Sequence, residues 1–157
     1  MIKNIISKEK TIMNKWLVMV NAQNYNLLGA ARKFGDGIPW CFDGTQGVQT
    51  GDKVLFYLTK SNEPNNTNPA IDDLYQRVVF EGTIVETGEK AREQRDRDIE
   101  YWDTTQADNY RKYTEIVMIR IDKSLYDEKI SSEQISSKYG KEIWKKRSET
   151  YVIKLEG

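Results

Sequence analysis

The sequence of 157 residues contains no histidine and a single cysteine, Cys41. Histidine is the usual general base and the commonest zinc ligand, so its absence excludes Ser-His-Asp and Cys-His triads. A lone cysteine excludes an intrachain disulfide and a cysteine metal cluster. Both absences favour a reducing, cytoplasmic setting and a binding protein rather than a hydrolytic enzyme. We therefore expect no catalytic residues, no bound metal and no cofactor.

The chain also lacks net charge and any long hydrophobic run. No stretch approaches the roughly 20 apolar residues of a membrane-spanning helix, so we expect a soluble protein with no membrane partner. The balance of 24 basic and 24 acidic residues hides an uneven distribution. Basic and acidic residues number eight and four over 1–60, five and twelve over 61–110, and eleven and eight over 111–157. Because both ends of the chain carry an excess of basic residues, a nucleic-acid partner remains possible although the net charge is zero.

Length and hydrophobic pattern predict one domain over residues 15–157, preceded by a flexible arm over residues 1–14. Apolar and β-branched runs predict five strands, at residues 15–20, 53–59, 77–86, 113–121 and 151–155. Helical spacing and capping residues predict helices over 24–34 and 131–139. The segment 89–102 is so charged that it reads as an exposed helix or loop. The fold class is therefore mixed α/β, of the α+β type, with a small curved sheet or open barrel.

Two of the four tryptophans stand outside the predicted strands and helices of the core. Trp40 lies in a segment dense in Gly, Asp and Pro (36–47), which predicts a loop, and Trp102 lies in polar surroundings. Each indole either covers one end of the barrel or contacts a ligand. A pair of such indoles can form a slot for a nucleobase, since stacking contributes about 1–3 kcal/mol per base. Trp16 and Trp144 are instead predicted to be core residues.

Five segments in order resemble the EVE and YTH domains of the PUA-like superfamily. They are WLVMVN (16–21), GIPWCFD (37–43), GDKVLFY (51–57), FEGTIV (80–85) and a tryptophan, Trp102, before the next strand. The resemblance implies a PUA-like pseudo-barrel of five to six strands with two to three flanking helices. It also implies a pocket for a modified, flipped-out base. The implied base-binding residues are Trp40, Trp102, Asn21, Cys41 and Tyr57.

EVE-like domains resemble the recognition modules of modification-dependent restriction systems of the McrBC type. The resemblance therefore implies a non-enzymatic reader of a methylated base, with DNA rather than RNA as its partner and a motor or nuclease subunit beside it. Removing a base from a duplex costs a few kcal/mol, which phosphate contacts help to offset. Candidate phosphate contacts are Arg32, Lys33, Lys60, Arg111, Lys112 and the basic cluster 145–147.

Three other functions stay open. The chain is compatible with a standalone EVE- or YTH-like RNA-binding protein, and with a protein-interaction module whose indoles pack against a partner. A magnesium-dependent nuclease is the least favoured. Its motif would place a lysine two residues after an acidic strand residue, but Glu81 is followed by Gly82 and Thr83.

Overall fold

A computed structural model describes residues 13–22, 24–42, 47–59, 74–102, 115–140 and 151–156. The described elements comprise six strands, three α-helices and two short 3₁₀ turns, at Ile99–Tyr101 and Tyr126–Glu128. The strands are β1 Lys15–Asn21, β2 Ile38–Phe42, β3 Lys53–Thr59, β4 Arg77–Thr87, β5 Glu115–Ser124 and β6 Tyr151–Glu156. The helices are α1 Leu27–Phe34, α2 Glu89–Arg92 and α3 Ser132–Tyr139.

The six strands form one curled sheet in the order β2-β5-β4-β3-β1-β6. β1 and β3 pair in parallel, and the other neighbours pair antiparallel. The sheet curls into a half-barrel with the helices beside it, which confirms the predicted mixed α+β pseudo-barrel. None of the helices in the described ranges has the length and apolar character needed to cross a membrane.

Strand alternation divides the core into two hydrophobic clusters. The inner cluster contains Trp16 and Phe56 together with residues of β2, β5 and α1. The outer cluster contains Leu17, Leu55 and Tyr57, which are covered by Ile135 of α3. Since both faces of β1 and β3 are buried, their sequences are almost continuously apolar, as the sequence predicted for residues 53–59.

The Gly-Asp turn before β3 holds a buried hydrogen-bond network. Gly51 has a φ of 95°, a conformation that L side chains rarely adopt, and places Asp52 beneath β1. Asp52 Oδ2 accepts from Trp16 Nε1 (2.9 Å), Asn14 Nδ2 (3.1 Å) and Gln49 N (3.0 Å), and Oδ1 accepts from Asn14 N (3.1 Å). This network confirms the core position of Trp16. Trp144 and residues 1–12 of the predicted arm lie outside the described residues.

The predicted helices are confirmed, with small changes at their ends. α1 begins at Leu27 because the Asn26 side chain accepts from Gly29 N (3.0 Å). α3 begins with a capping box, in which Ser131 Oγ accepts from Gln134 N and Gln134 Oε1 accepts from Ser131 N. Both caps use the residue types that a helix N-terminus prefers.

Two predictions about the irregular segments are wrong. Residues 38–42 form β2, not part of a loop, because they pair antiparallel with β5 from Ile38↔Ile119 to Phe42↔Glu115. β2 is an edge strand, where Pro39 is tolerated because a missing N–H does not interrupt the sheet. The charged segment after β4 is also not wholly exposed, since Ala91, Asp98 and Trp102 are buried.

Candidate functional site

Three aromatic side chains meet inside the half-barrel, and we call them the aromatic cluster: Tyr25, Trp40 and Trp102. The ring centroids lie 5.3 Å apart for Tyr25 and Trp40, 4.5 Å for Tyr25 and Trp102, and 5.6 Å for Trp40 and Trp102. Trp40 is 1% exposed and Trp102 is 6% exposed. The structure therefore brings together the two tryptophans singled out by the sequence, on the inner side of the sheet.

The three rings come from different elements of the fold. Trp40 lies in the middle of β2, where it pairs with Val117 and its ring meets Phe56 edge-on at 6.1 Å. Trp102 follows a single 3₁₀ turn and is joined to Tyr25 by an isolated antiparallel bridge. Trp40 is thus placed by the sheet, whereas Trp102 is placed by a short turn, the bridge to Tyr25 and its packing.

Asn21, predicted to line the pocket, lies at the end of β1, and its backbone carbonyl shapes the turn that follows. Its carbonyl oxygen accepts hydrogen bonds from Asn24 N (3.0 Å) and Tyr25 N (3.1 Å). These two bonds turn the chain out of β1 and direct Tyr25 towards Trp40 and Trp102. Asn21 is therefore close to the cluster and holds one of its rings in place.

Asp98 adds a carboxyl group to the edge of the aromatic cluster. Asp98 is 1% exposed, and its Oδ2 accepts a 2.6 Å hydrogen bond from the Tyr25 hydroxyl. Its Oδ1 is buried and has no hydrogen-bond partner among the described residues. Burial raises the pKa of this carboxyl to about 6, with the Tyr25 hydrogen bond and the Arg97 charge opposing the shift. Burial, followed by the Asp98 charge, also raises the pKa of Tyr25.

Arg97 attaches the charged segment to the rest of the fold. Its guanidinium donates to the Gly37 carbonyl (3.1 Å), lies 3.6 Å from an Asp36 carboxylate oxygen, and sits 4.7 Å from the Phe34 ring centroid. The next residue, Asp98, is thereby brought against Tyr25. A run of charges that looked solvated in the sequence therefore contributes one carboxyl to the interior.

The two remaining predicted base-binding residues lie in different parts of the core. Cys41 is buried next to Trp40 in β2 and belongs to the same inner cluster. Tyr57 is fully buried in the outer cluster, while its neighbour Phe56 belongs to the inner one. The structure thus places Tyr57 on the other side of the sheet from Trp40.

The predicted phosphate contacts are only partly covered by the described residues. Arg32 and Lys33 are exposed in the last turn of α1. Lys33 Nζ lies 2.7 Å from Glu100 Oε1, and this hydrogen bond raises the pKa of Lys33. Lys33 therefore reaches the turn that precedes Trp102. Lys60, Arg111, Lys112 and the cluster 145–147 lie outside the described residues.

The distance between the two indoles of the aromatic cluster leaves no room for a flat guest between them. Rings 5.6 Å apart are in direct contact, within the usual 4.5–7 Å range for aromatic pairs. A base between Trp40 and Trp102 needs two contacts of about 3.5 Å each, or roughly 7 Å in all. The two indoles must therefore separate by about 1.5 Å to take a flat guest.

No protein-family model and no curated protein matches this chain. Among solved structures, the NMR structure of Rpa0253 from Rhodopseudomonas palustris, a structural genomics target, is similar to it. The similarity has 18% identity and a TM-score of 0.43, and it covers 80% of this chain and 71% of that chain. Within the described ranges, no group of three His, Cys, Asp or Glu residues is placed to hold a metal ion.

Two residues of the site were missed by sequence reasoning. Tyr25 lies between Asn24 and Asn26, where the capping signal drew attention away from the aromatic side chain. Asp98 stands in a run of alternating charges, RDRD (95–98), that reads as solvated surface. The available signal was the pair of aromatic residues that follows, Tyr101 and Trp102, which are half-buried and buried in the structure.

Proposed function

We propose that this protein is a non-enzymatic reader that captures a flipped-out, modified base at the aromatic cluster. The observation that carries the proposal is the buried Asp98 Oδ1, an acceptor without a partner among the described residues, at the edge of three aromatic rings that are in mutual contact. Buried polar atoms are nearly always hydrogen-bonded, so an unpaired one calls for an explanation. An amino-bearing base would stack on the rings and donate to this oxygen.

The chemistry of nucleobases agrees with this arrangement. Carboxylates accept from the exocyclic amino group of cytosine, and adenine carries a similar donor at its N6 position. Aromatic rings add about 1–3 kcal/mol of stacking per base. At neutral pH a carboxyl with a pKa of about 6 is ionised, and it therefore acts as an acceptor only.

The order of sequence segments that resembles EVE and YTH domains supports the same function. Trp40 and Trp102, which that resemblance implies as cage residues, are in contact inside a curled six-stranded sheet. We extend the proposal to methylated DNA as the ligand and to a role as the specificity module of a modification-dependent restriction system. Entry of the base requires Trp40 and Trp102 to separate.

The test is a binding panel read by fluorescence polarisation. Single-stranded and duplex oligonucleotides, in DNA and RNA forms, carry 5-methylcytosine, 5-hydroxymethylcytosine, 6-methyladenine or no modification, at two salt concentrations. We expect one modified DNA to bind more tightly than its unmodified counterpart. The salt dependence of affinity counts the phosphate contacts. Equal binding of all modified and plain oligonucleotides contradicts the proposal. If only modified RNA binds more tightly than its plain counterpart, the ligand is RNA and the assignment of DNA is wrong.

Asp98→Asn is the informative variant, since it keeps the side-chain shape and allows the Tyr25 hydroxyl still to donate to an oxygen. The unpartnered acceptor is then replaced by a donor, which repels the amino group of the base. We expect a loss of affinity for the preferred oligonucleotide of at least fivefold, from about 1–3 kcal/mol per base contact. Trp40→Ala is a poor substitute, because removing a buried indole costs about 3–5 kcal/mol of stability.

Asp96→Asn is the matched control. It makes the same chemical change two residues away, on an exposed side chain of the same segment. We expect its affinity to equal that of the wild type. Equal losses in both variants would assign the effect to overall charge and would remove Asp98 from the site.

A further inference from the structure

A cavity lies on the outer face of the sheet, beneath α3. Its volume is about 530 Å³, within the roughly 300–1,000 Å³ range of small-molecule sites. Its floor is apolar and consists of Leu55 from β3, Leu125 after β5 and Ile135 from α3, all members of the outer cluster. The cavity is therefore on the opposite side of the sheet from the aromatic cluster.

Two ammonium groups flank one aromatic ring at the end of the cavity near the C-terminus of α3. The Nζ atoms of Lys15 and Lys138 lie 5.7 Å and 5.4 Å from the centroid of the Tyr139 ring. Lys15 Nζ also donates to the Tyr139 hydroxyl (3.2 Å). Neither lysine forms an ion pair with any residue that the structure describes. Two like charges beside one ring repel each other, and an anion bound near both reduces that cost.

The other charges of the cavity do not neutralise this pair. Lys123 Nζ lies 3.4 Å from Glu81 Oε2, so these two lining residues compensate each other. Glu128 lines the cavity from the 3₁₀ turn that leads into the start of α3, whereas Lys138 is in the last turn of that helix. The cavity thus has a cationic end, an apolar floor and an acidic group beyond it.

We propose that this cavity binds a small amphipathic anion. Its carboxylate or phosphate group lies at the end of the cavity that Lys15 and Lys138 line, and its apolar body covers Leu55, Leu125 and Ile135. This site is independent of base recognition. A nucleic-acid strand carries many phosphates, and a strand that crossed the cavity would bring one of them near Glu128.

The probe is 1-anilinonaphthalene-8-sulfonate, which combines an aromatic body with one negative group. It is titrated into the full chain at physiological salt, and bound probe is measured by its fluorescence. We expect saturable binding with one site per chain. Decanoate and phenyl phosphate should both displace the probe, since each joins an apolar body to one of the two head groups. Acetate and inorganic phosphate, which lack the apolar body, should not displace it at the same concentrations.

Lys15→Gln and Lys138→Gln test the cationic end, and Lys90→Gln on the exposed surface of α2 is the matched control. We expect each cavity variant to weaken probe binding about threefold, as for the loss of an exposed ion pair, and the control to leave it unchanged. The proposal is overturned by unsaturable binding, by equal affinity in both cavity variants and the control, or by displacement of the probe with a plain oligonucleotide.

Discussion

Burial of the Asp98 carboxyl makes the stability of this protein depend on pH in a direction opposite to that of a paired surface carboxylate. Asp98 is almost fully buried, and its pKa is raised from 3.8 to about 6 because burial penalises the charged form. The Tyr25 hydroxyl offsets part of that penalty through its 2.6 Å hydrogen bond. Asp98→Asn removes the titration and preserves the shape of the side chain.

The size and sign of the effect follow from the shift in pKa. In the unfolded chain the carboxyl titrates at its ordinary pKa of 3.8, and in the folded protein at about 6. The folded state holds the proton more tightly, so this contribution to stability is fully present below pH 3.8 and is lost as the pH rises through 6. A shift of about two units corresponds to about 3 kcal/mol in the free energy of unfolding.

The assay is urea or thermal unfolding of the wild type and Asp98→Asn between pH 4 and pH 7.5. Over this range the wild type should lose about 2.5 kcal/mol relative to the variant, because at pH 4 the carboxyl of the unfolded chain is already partly ionised. For a chain of this length, that difference is about 5–10 °C in melting temperature. Comparing the two proteins cancels other groups, such as Asp122, whose lowered pKa gives the opposite dependence, with stability lost as the pH falls.

If the difference in the free energy of unfolding between the two proteins did not change with pH, the pKa of Asp98 would not be raised in the folded protein. A wild type that gains stability relative to Asp98→Asn as the pH rises would also refute the raised pKa, since that would mean that the native state favours the ionised carboxyl. A direct check is the carboxyl carbon chemical shift of Asp98 by NMR, which should titrate with a midpoint near 6.

Two further changes test the packing around the sheet. Asp52→Ala leaves the buried Trp16 indole N–H and three other donors without their acceptor, so we expect a loss of about 3 kcal/mol in urea unfolding. The exposed control Asp127→Ala should change stability by no more than about 0.5 kcal/mol, and equal effects would contradict the network. In Gly82→Ala the new Cβ would lie 2.5 Å from the Arg120 carbonyl oxygen of β5. We expect about 1–3 kcal/mol of destabilisation, and an unchanged melting temperature would argue against this close approach of the strands.

Only part of the candidate site could be predicted from the sequence, and Trp40 shows why. The sequence marks Trp40 as a candidate site residue, but it does not indicate that Trp40 lies in a strand, because turn-forming residues stand on either side of the five-residue strand Ile38–Phe42. That strand exists through its pairing with β5, more than 70 residues further along the chain. Local propensity carries no information about such a partner.

Elements with local signals follow directly from the sequence. The continuous apolar run of β3 indicates burial on both faces, and Asn26 and the Ser131–Gln134 capping box mark the helix starts with side chains only a few residues away. Long-range packing is what buries Asp98 against Tyr25 and places Tyr57 and Trp40 on opposite sides of the sheet. Both outcomes depend on strand pairing and on the docking of Arg97 at Gly37, which join residues far apart in the chain.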